Sequence, residues 1–411
     1  MQLFNIFGLK VLFVVCCTHT ILKPANDLKI KTNALIYITN RRAKRYFMGI
    51  HEISIQQFLS LDDAQCEERI VAAKAALGKR LVILGHHYQR DEVFKHADHT
   101  GDSLKLSRKA AQSGAEYIIF CGVHFMAEVA DILSNAEQIA ILPDLAAGCS
   151  MADMANLEKV EQAWRELSAV LAPDEHITPI TYINSAANLK AFCGRHGGIV
   201  CTSTNAPHVL EWAFSQREKV LFFPDQHLGR NTAYRMGIPL DQMVLWDFDK
   251  PNGGVTPEQI KAAKMILWDG FCSVHEQFMP EHIDQFRANY PDGKVVSHPE
   301  CPFEVCQKSD EVGSTEYIIK TINASKPGTH WLVGTEINLV NRLAQESKDK
   351  FVHYMAPIIC KCSTMYRINP QHLLWTLENL VEGNVVNQIK VPPQIAADAR
   401  LALERMFDVS P

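Results

Sequence analysis

The stretch HPECPFEVC, residues 298 to 306, brings His298, Glu300, Cys301 and Cys306 into nine residues. Such a set could hold a metal, move protons at the end of a strand, or sit in an ordinary core. Two other places offer polar pairs at the same spacing: His86 with Tyr88, and Tyr182 with Asn184. Residues i and i+2 of a strand project from one face. Each pair could therefore present two polar side chains to one ligand.

Thiols are the other reactive groups, with 12 cysteines among 411 residues. That density is far below that of a small disulfide scaffold. In a chain this long it points to a reducing compartment, with thiols free for a metal or for catalysis. The competing reading is that most are small buried hydrophobes. Cys149, Cys272 and the pair Cys360 and Cys362 recur at wide intervals with no C-x-x-C spacing. Structural zinc favours four ligands, often in close pairs. Iron–sulfur clusters normally take four thiolates, so three would leave one iron open to act as a Lewis acid. Scattered thiols fit unrelated burial better than a cluster as far as spacing alone goes, though it leaves both readings open.

The elements that must position these groups alternate from about residue 62. DAQCEERIVAAKAAL has helical spacing, RLVILGHH reads as a short buried strand, and SLKLSRKAAQ as a helix stopped near Gly114. Alternating strands and helices make a parallel sheet covered by helices. The pattern then repeats. First-type strands are LVILGHHYQ, HITPITYINS and KVVSHPEC; second-type are YIIFCG, GIVCTST and EVGST; third-type are IAILPD, KVLFFPD and HWLVGTE. Each triplet is followed by a segment that contains cysteine. The fold class expected is α/β: three small α/β/α units with parallel sheets, in pseudo-threefold arrangement around one central site. Ligands of open parallel sheets collect at the carboxyl ends of strands, where the three polar pairs lie.

The expected divisions are residues 62–150, completed by a C-terminal helix over 370–408, then 151–272 and 273–369. Residues 1–61 are expected to be a dispensable or poorly ordered extension. Its LFNIFGLKVLFVVCCTHTIL is apolar but interrupted by Asn5 and Lys10, and can be read as a poor membrane span, a signal-like segment or an upstream extension. A start at Met48 would remove it. The net charge of -5 gives no basic footprint for nucleic acid. No nucleic acid and no membrane partner are expected, and the location expected is the cytoplasm.

With these elements in view, the chain resembles the quinolinate synthase family of NAD biosynthesis. The resemblance rests on GHHYQRDEV, GDSLKLSRKA, FCGVHFMAE, LPDLAAGCSMADM, TYINSAANLKA, CTSTNA, GFCSVHEQF and VSHPECPFEV, over about residues 65 to 408. It implies three α/β domains sharing one site, and a 4Fe–4S cluster on Cys149, Cys272 and Cys362. In CKCSTMY, the ligand followed by two residues and then Met selects Cys362; Tyr366 stands where the family has Asn. The implied substrates are iminoaspartate and dihydroxyacetone phosphate, with an L-aspartate oxidase or dehydrogenase as the partner supplying the first. The implied products are quinolinate, phosphate and water.

The resemblance also implies roles. His86, Ser103, Asn184, Ser203 and Thr315 would donate to carboxylate or phosphate oxygens, with Ser314 assisting. Tyr88 and Tyr182 would stack on a flat intermediate and relay protons. Glu300 would be the general acid/base, His298 would orient substrate, and His275 would lie behind the cluster. His87, His124 and His208 are expected to be structural. Cys301 is expected to turn away by strand alternation, and Cys306 to lie on the next helix. Two other classes fit the residues: an iron–sulfur hydro-lyase with another small anionic substrate, and a zinc-stabilised binding protein.

Overall fold

The computed structural model describes residues 2–6, 9–13 and 52–410. Gln2–Ile6 (β1) and Leu9–Phe13 (β2) pair as an antiparallel hairpin. The remainder of the apolar N-terminal segment and the Met48 start lie outside the described residues. Among the described residues no helix is long and apolar enough to cross a membrane.

His51–Pro411 form one compact unit carrying three sheets. In the first, Leu81–His86 (β3) lies between His99–Gly101 (β4) and Tyr117–Cys121 (β5), followed by Ile139–Ile141 (β6). In the second, Ile177–Tyr182 (β7) lies between Ile199–Cys201 (β8) and Lys219–Phe223 (β9); Met265–Trp268 (β11) and then Met243–Trp246 (β10) complete it. In the third, Lys294–Ser297 (β12) lies between Glu311–Val312 (β13) and His330–Gly334 (β14), followed by Phe351–Tyr354 (β15). All these pairings are parallel. Strands such as Tyr117–Cys121 and Lys219–Phe223 are buried at every position, because helices cover both faces.

The three sheets share one rule: the second strand flanks the first on one side and the third on the other. This corrects the repeat as read from the sequence. In the first sheet the second strand is His99–Gly101, three residues without an apolar run. YIIFCG is therefore the third strand, matching KVLFFPD and HWLVGTE, and IAILPD is the fourth. EVGST contributes only Glu311–Val312 as strand.

The C-terminal segment is also corrected. Residues 370–408 are two helices, Pro370–Val381 and Pro393–Asp408, with Gln388–Ile389 (β16) between them. β16 pairs antiparallel with β6 and extends the first sheet. Pro370–Val381 packs against the helix Asp63–Leu77, whereas Pro393–Asp408 packs against Ala187–Arg195 beside the second sheet. Gly194 permits that approach: a Cβ there would overlap the Asp398 carbonyl oxygen.

Residues 53–58 depart from the dispensable extension expected up to residue 61. The Ile53 carbonyl accepts from Trp375 Nε1 at 2.5 Å, its N–H donates to Asn379, and Phe58 is 1% exposed. The first two sheets and the C-terminal helices share one continuous core, whereas the third sheet has a separate cluster on each face.

Candidate functional site

The polar groups converge where the first and second strands of each sheet end. His86 is the last residue of β3 and Tyr182 the last of β7; His298 and Glu300 lie in a turn just past β12. His86 pairs with Gly101 and Tyr182 with Cys201, and Ser103 and Ser203 each follow two residues later. Thr315 opens the helix Thr315–Ala324 as Ser103 opens Ser103–Gln112. Cys149, Cys272 and Cys362 lie in loops associated with the first, second and third sheets.

Twelve of the side chains singled out from the sequence line a single cavity: His86, Tyr88, Ser103, Cys149, Tyr182, Asn184, Ser203, Cys272, His298, Glu300, Thr315 and Cys362. Asp102, Thr202 and Met151 line it too, without having been assigned a role from the sequence, and so does Met365, the methionine that selected Cys362. Ser314 does not. Its hydroxyl accepts from Tyr317 N as a helix cap, outside this lining.

The histidines are fixed as donors. Tyr88 N–H donates to His86 Nδ1 at 3.2 Å, and Glu300 N–H to His298 Nδ1 at 3.4 Å. Burial, aided by the charge of neighbouring His87, takes the His86 pKa down to about 3. Burial likewise takes that of His298 down to about 3, against the pull of Glu300. Both rings are neutral at pH 7. An accepting Nδ1 then leaves Nε2 as the N–H, suited to a carboxylate or phosphate oxygen.

Glu300 is 3% exposed. Burial works to raise its carboxyl, but the His298 and His275 rings and the Tyr182 hydroxyl outweigh it and hold the group below its ordinary range. His275 Nδ1 lies 2.9 Å from Glu300 Oε2. That contact is one of the causes that hold the Glu300 carboxyl down. From His275 Nε2 the path continues to Thr335 Oγ1 at 3.4 Å and on to the Tyr88 hydroxyl at 2.7 Å. Glu300 and Tyr88 are thus the two ends of one buried polar chain. Thr335 escaped the sequence reading because an isolated threonine after a strand carries no signal.

The three thiols suit a metal. Burial takes the Cys149 pKa up to about 12, that of Cys272 well above its ordinary value, and raises that of Cys362. Each sulfur also faces backbone N–H groups two or three residues on: Met151 and Ala152 for Cys149, His275 for Cys272, and Thr364 and Met365 for Cys362. Such donors stabilise thiolate ligands of iron–sulfur clusters. A metal bound here would displace the thiol protons to solvent, because it offers the buried thiolates the positive charge that burial alone denies them. Ligand atoms of Cys272, His275 and Glu300 also lie within 4.8 Å of one another.

With that geometry established, comparison with known proteins places the chain. The family model described as "Quinolinate synthetase A protein" matches residues 68–408. This chain belongs to that family. It is 56% identical over 358 residues to the quinolinate synthase of Acidobacterium capsulatum, covering 87% of this chain and 96% of that protein. It is 55% identical over 365 residues to that of Herpetosiphon aurantiacus, covering 88% and 97%. With that of Nocardioides sp. the identity is 57% over 353 residues, covering 84% and 89%.

Other residues weighed in the sequence lie away from the chemistry of the cavity. Among the family's loops, Cys360 belongs to the same segment as Cys362 but is not part of the lining. Cys301 and Cys306 are buried in the core of the third sheet. Cys301 stands in the turn past β12, so the turn, not strand alternation, directs it there; Cys306 is on the helix Phe303–Lys308. His87 pairs with Glu316 at 2.9 Å, His124 lies 3.8 Å from Glu128, and His208 is exposed.

The site loops are held by helices of other sheets. Asn231, on Gln226–Arg235, donates to the carbonyls of Pro299 and Cys301. Arg342, on Ile337–Glu346, donates to the carbonyls of His87 and Gln89. Glu128, on His124–Leu133, accepts from Ala187 N, just past Asn184. Each helix follows the third strand of its own sheet and reaches the loop after the first strand of the next.

Proposed function

We propose that this chain is a quinolinate synthase that condenses iminoaspartate with dihydroxyacetone phosphate to give quinolinate, phosphate and water. The observation that carries the reading is the convergence of three desolvated thiols, one associated with each sheet, on a cavity rich in neutral donors. The cyclic contacts between helices and loops support a pseudo-threefold arrangement of units 62–150, 151–272 and 273–369. The working location is the cytoplasm, and an L-aspartate oxidase or dehydrogenase would supply the unstable imine.

Cys149, Cys272 and Cys362 would hold a 4Fe–4S cluster. When bound, it would supply a Lewis-acidic iron with an open position. The protein's own groups bind and orient. His86 and His298, through Nε2–H, and the hydroxyls of Ser103, Ser203 and Thr315 donate to phosphate and carboxylate oxygens, with Asn184 adding its amide. Their burial replaces water with fixed donors. Glu300, ionised, accepts a proton from the carbon skeleton as the new C–C bond forms and phosphate leaves. The Tyr182 hydroxyl holds the carboxylate in place. Tyr88, joined to Glu300 through Thr335 and His275, provides the hydroxyl at the other end for proton return as the ring closes and loses water.

The test is anaerobic purification with iron, sulfide and quinolinate formation measured together. Cys149→Ala, Cys272→Ala and Cys362→Ala are expected to lose the cluster's visible absorbance and activity, and Cys360→Ala to keep both. Zinc without acid-labile sulfide would sink the reading. So would turnover of another anion with no phosphate released.

A further inference from the structure

A second cavity, of about 650 Å³, adjoins the site from the seam between the second and third sheets. Ser203 lines both cavities. The larger one also touches Pro299, beside His298 and Glu300, and Ser314, beside Thr315. A wall of single residues therefore separates the two spaces. Such a volume lies within the range of small-molecule pockets.

The charge in this cavity is uneven. Arg235 and Lys320 line it, and both are exposed. Arg235 donates to the Val312 carbonyl at 2.7 Å. Among the described residues, no carboxylate forms an ion pair with Arg235 or Lys320. The one carboxylate among the described lining residues, Glu316, is already held by His87 at 2.9 Å and Lys105 at 3.1 Å. The remaining field is positive. A cleft lined by one sign of charge raises the local concentration of counter-ions.

We propose that this cavity is an antechamber in which Arg235 and Lys320 capture a small dianion, a phosphomonoester or dicarboxylate, before it passes Ser203 into the catalytic cavity. The inference rests on the function proposed above, since both substrates of that reaction are anions of this class. It explains why two cations with no carboxylate partner among the described residues stand outside a site whose own donors are neutral: capture uses charge, whereas the inner site uses oriented hydrogen bonds. Substrate is drawn in from water without a buried cation having to be desolvated.

The test uses the anaerobically purified holoenzyme with Arg235→Gln, Lys320→Gln and the double variant. Each single variant is expected to raise KM for dihydroxyacetone phosphate roughly 3-fold at low salt, with kcat kept within about 2-fold and the difference shrinking at high salt. Separately, inorganic phosphate is expected to slow acetylation of Lys320 in wild type, read by mass spectrometry, and to do so less when Arg235 is Gln. Arg235 also braces Val312, so the exposed Lys320 variant is the cleaner one. A KM and salt dependence unchanged in both single variants, or acetylation indifferent to phosphate, overturns the antechamber. Wild-type holoenzyme that forms no quinolinate overturns the function proposed above instead.

Discussion

Asn231 holds Glu300 from both sides: its amide donates, at 2.9 Å each, to the carbonyls of Pro299 and Cys301 that flank the glutamate. The carboxylate's position in one sheet's loop therefore depends on a helix belonging to another. The amide is 1% exposed, so these bonds have no water to replace them. Asn231→Ala is expected to cost about 2 kcal/mol through the two buried carbonyls left unpaired. It should also lower kcat about 10-fold or more as the carboxylate loses its placement. Urea unfolding measures the first, and steady-state kinetics well below the unfolding temperature the second. A kcat that stays normal would leave Asn231 with a purely structural role.

Thr335 joins Tyr88 to His275 and is fully buried. Thr335→Val keeps the shape and removes the hydroxyl. Turnover is expected to fall roughly 10-fold or more, as for loss of a proton-transfer group, and Thr335→Ser to restore it. The paired kinetics of the two variants check this. Equal activity in Val and Ser variants would dissociate the chain from catalysis.

Glu316 provides a pH signature away from the thiols. The His87 hydrogen bond, opposed by burial and reinforced by Lys105, lowers its pKa to about 2. A carboxyl whose pKa is depressed on folding stabilises the fold above its unfolded value near 4.5, and that contribution is lost as pH falls towards 2. With the side chain 35% exposed, screening limits the effect to about 1 kcal/mol. Glu316→Gln should therefore be less stable than wild type at pH 6. The difference should close between pH 4.5 and 2 in urea melts taken across that range.

Gly194 lets the helix Pro393–Asp408 approach Ala187–Arg195. Gly194→Ala would drive a Cβ into the Asp398 carbonyl. A loss of about 3 kcal/mol is expected from forced overpacking. Limited proteolysis should release the C-terminal helix first. A variant with wild-type stability and protease resistance would mean that the helices separate at no cost.

Phe58 tests the start of the folded unit. Phe58→Ala should cost about 3 kcal/mol, the usual loss for a fully buried phenylalanine. A chain beginning at residue 62 should lose at least as much, because Trp375 and Asn379 also lose their partners at Ile53. Chemical denaturation of both checks it.

The sequence by itself determined the groups that meet. The polar pairs at the ends of three apolar strands, and a cysteine-bearing segment after each repeat, were legible because strand ends and side-chain identities are local. Parallel sheets place strand ends of one kind at one edge, so the three polar pairs could be expected to meet; Ser103, Ser203, Thr315 and the choice of Cys149, Cys272 and Cys362 came from the family resemblance. Only the tertiary structure decided what local pattern does not encode. His99–Gly101 is a strand solely because β3 pairs with it, and this shifted the repeat by one strand in the first sheet. The C-terminal segment divides into two helices because β16 finds the open edge at β6. Residues 53–58 join the core because Pro370–Val381, more than three hundred residues later, offers them partners. Asn231, Arg342 and Thr335 look like ordinary helix or loop residues in the chain. Their work is done across seams between sheets, and a hydrogen bond between residues far apart in sequence leaves no periodicity to read.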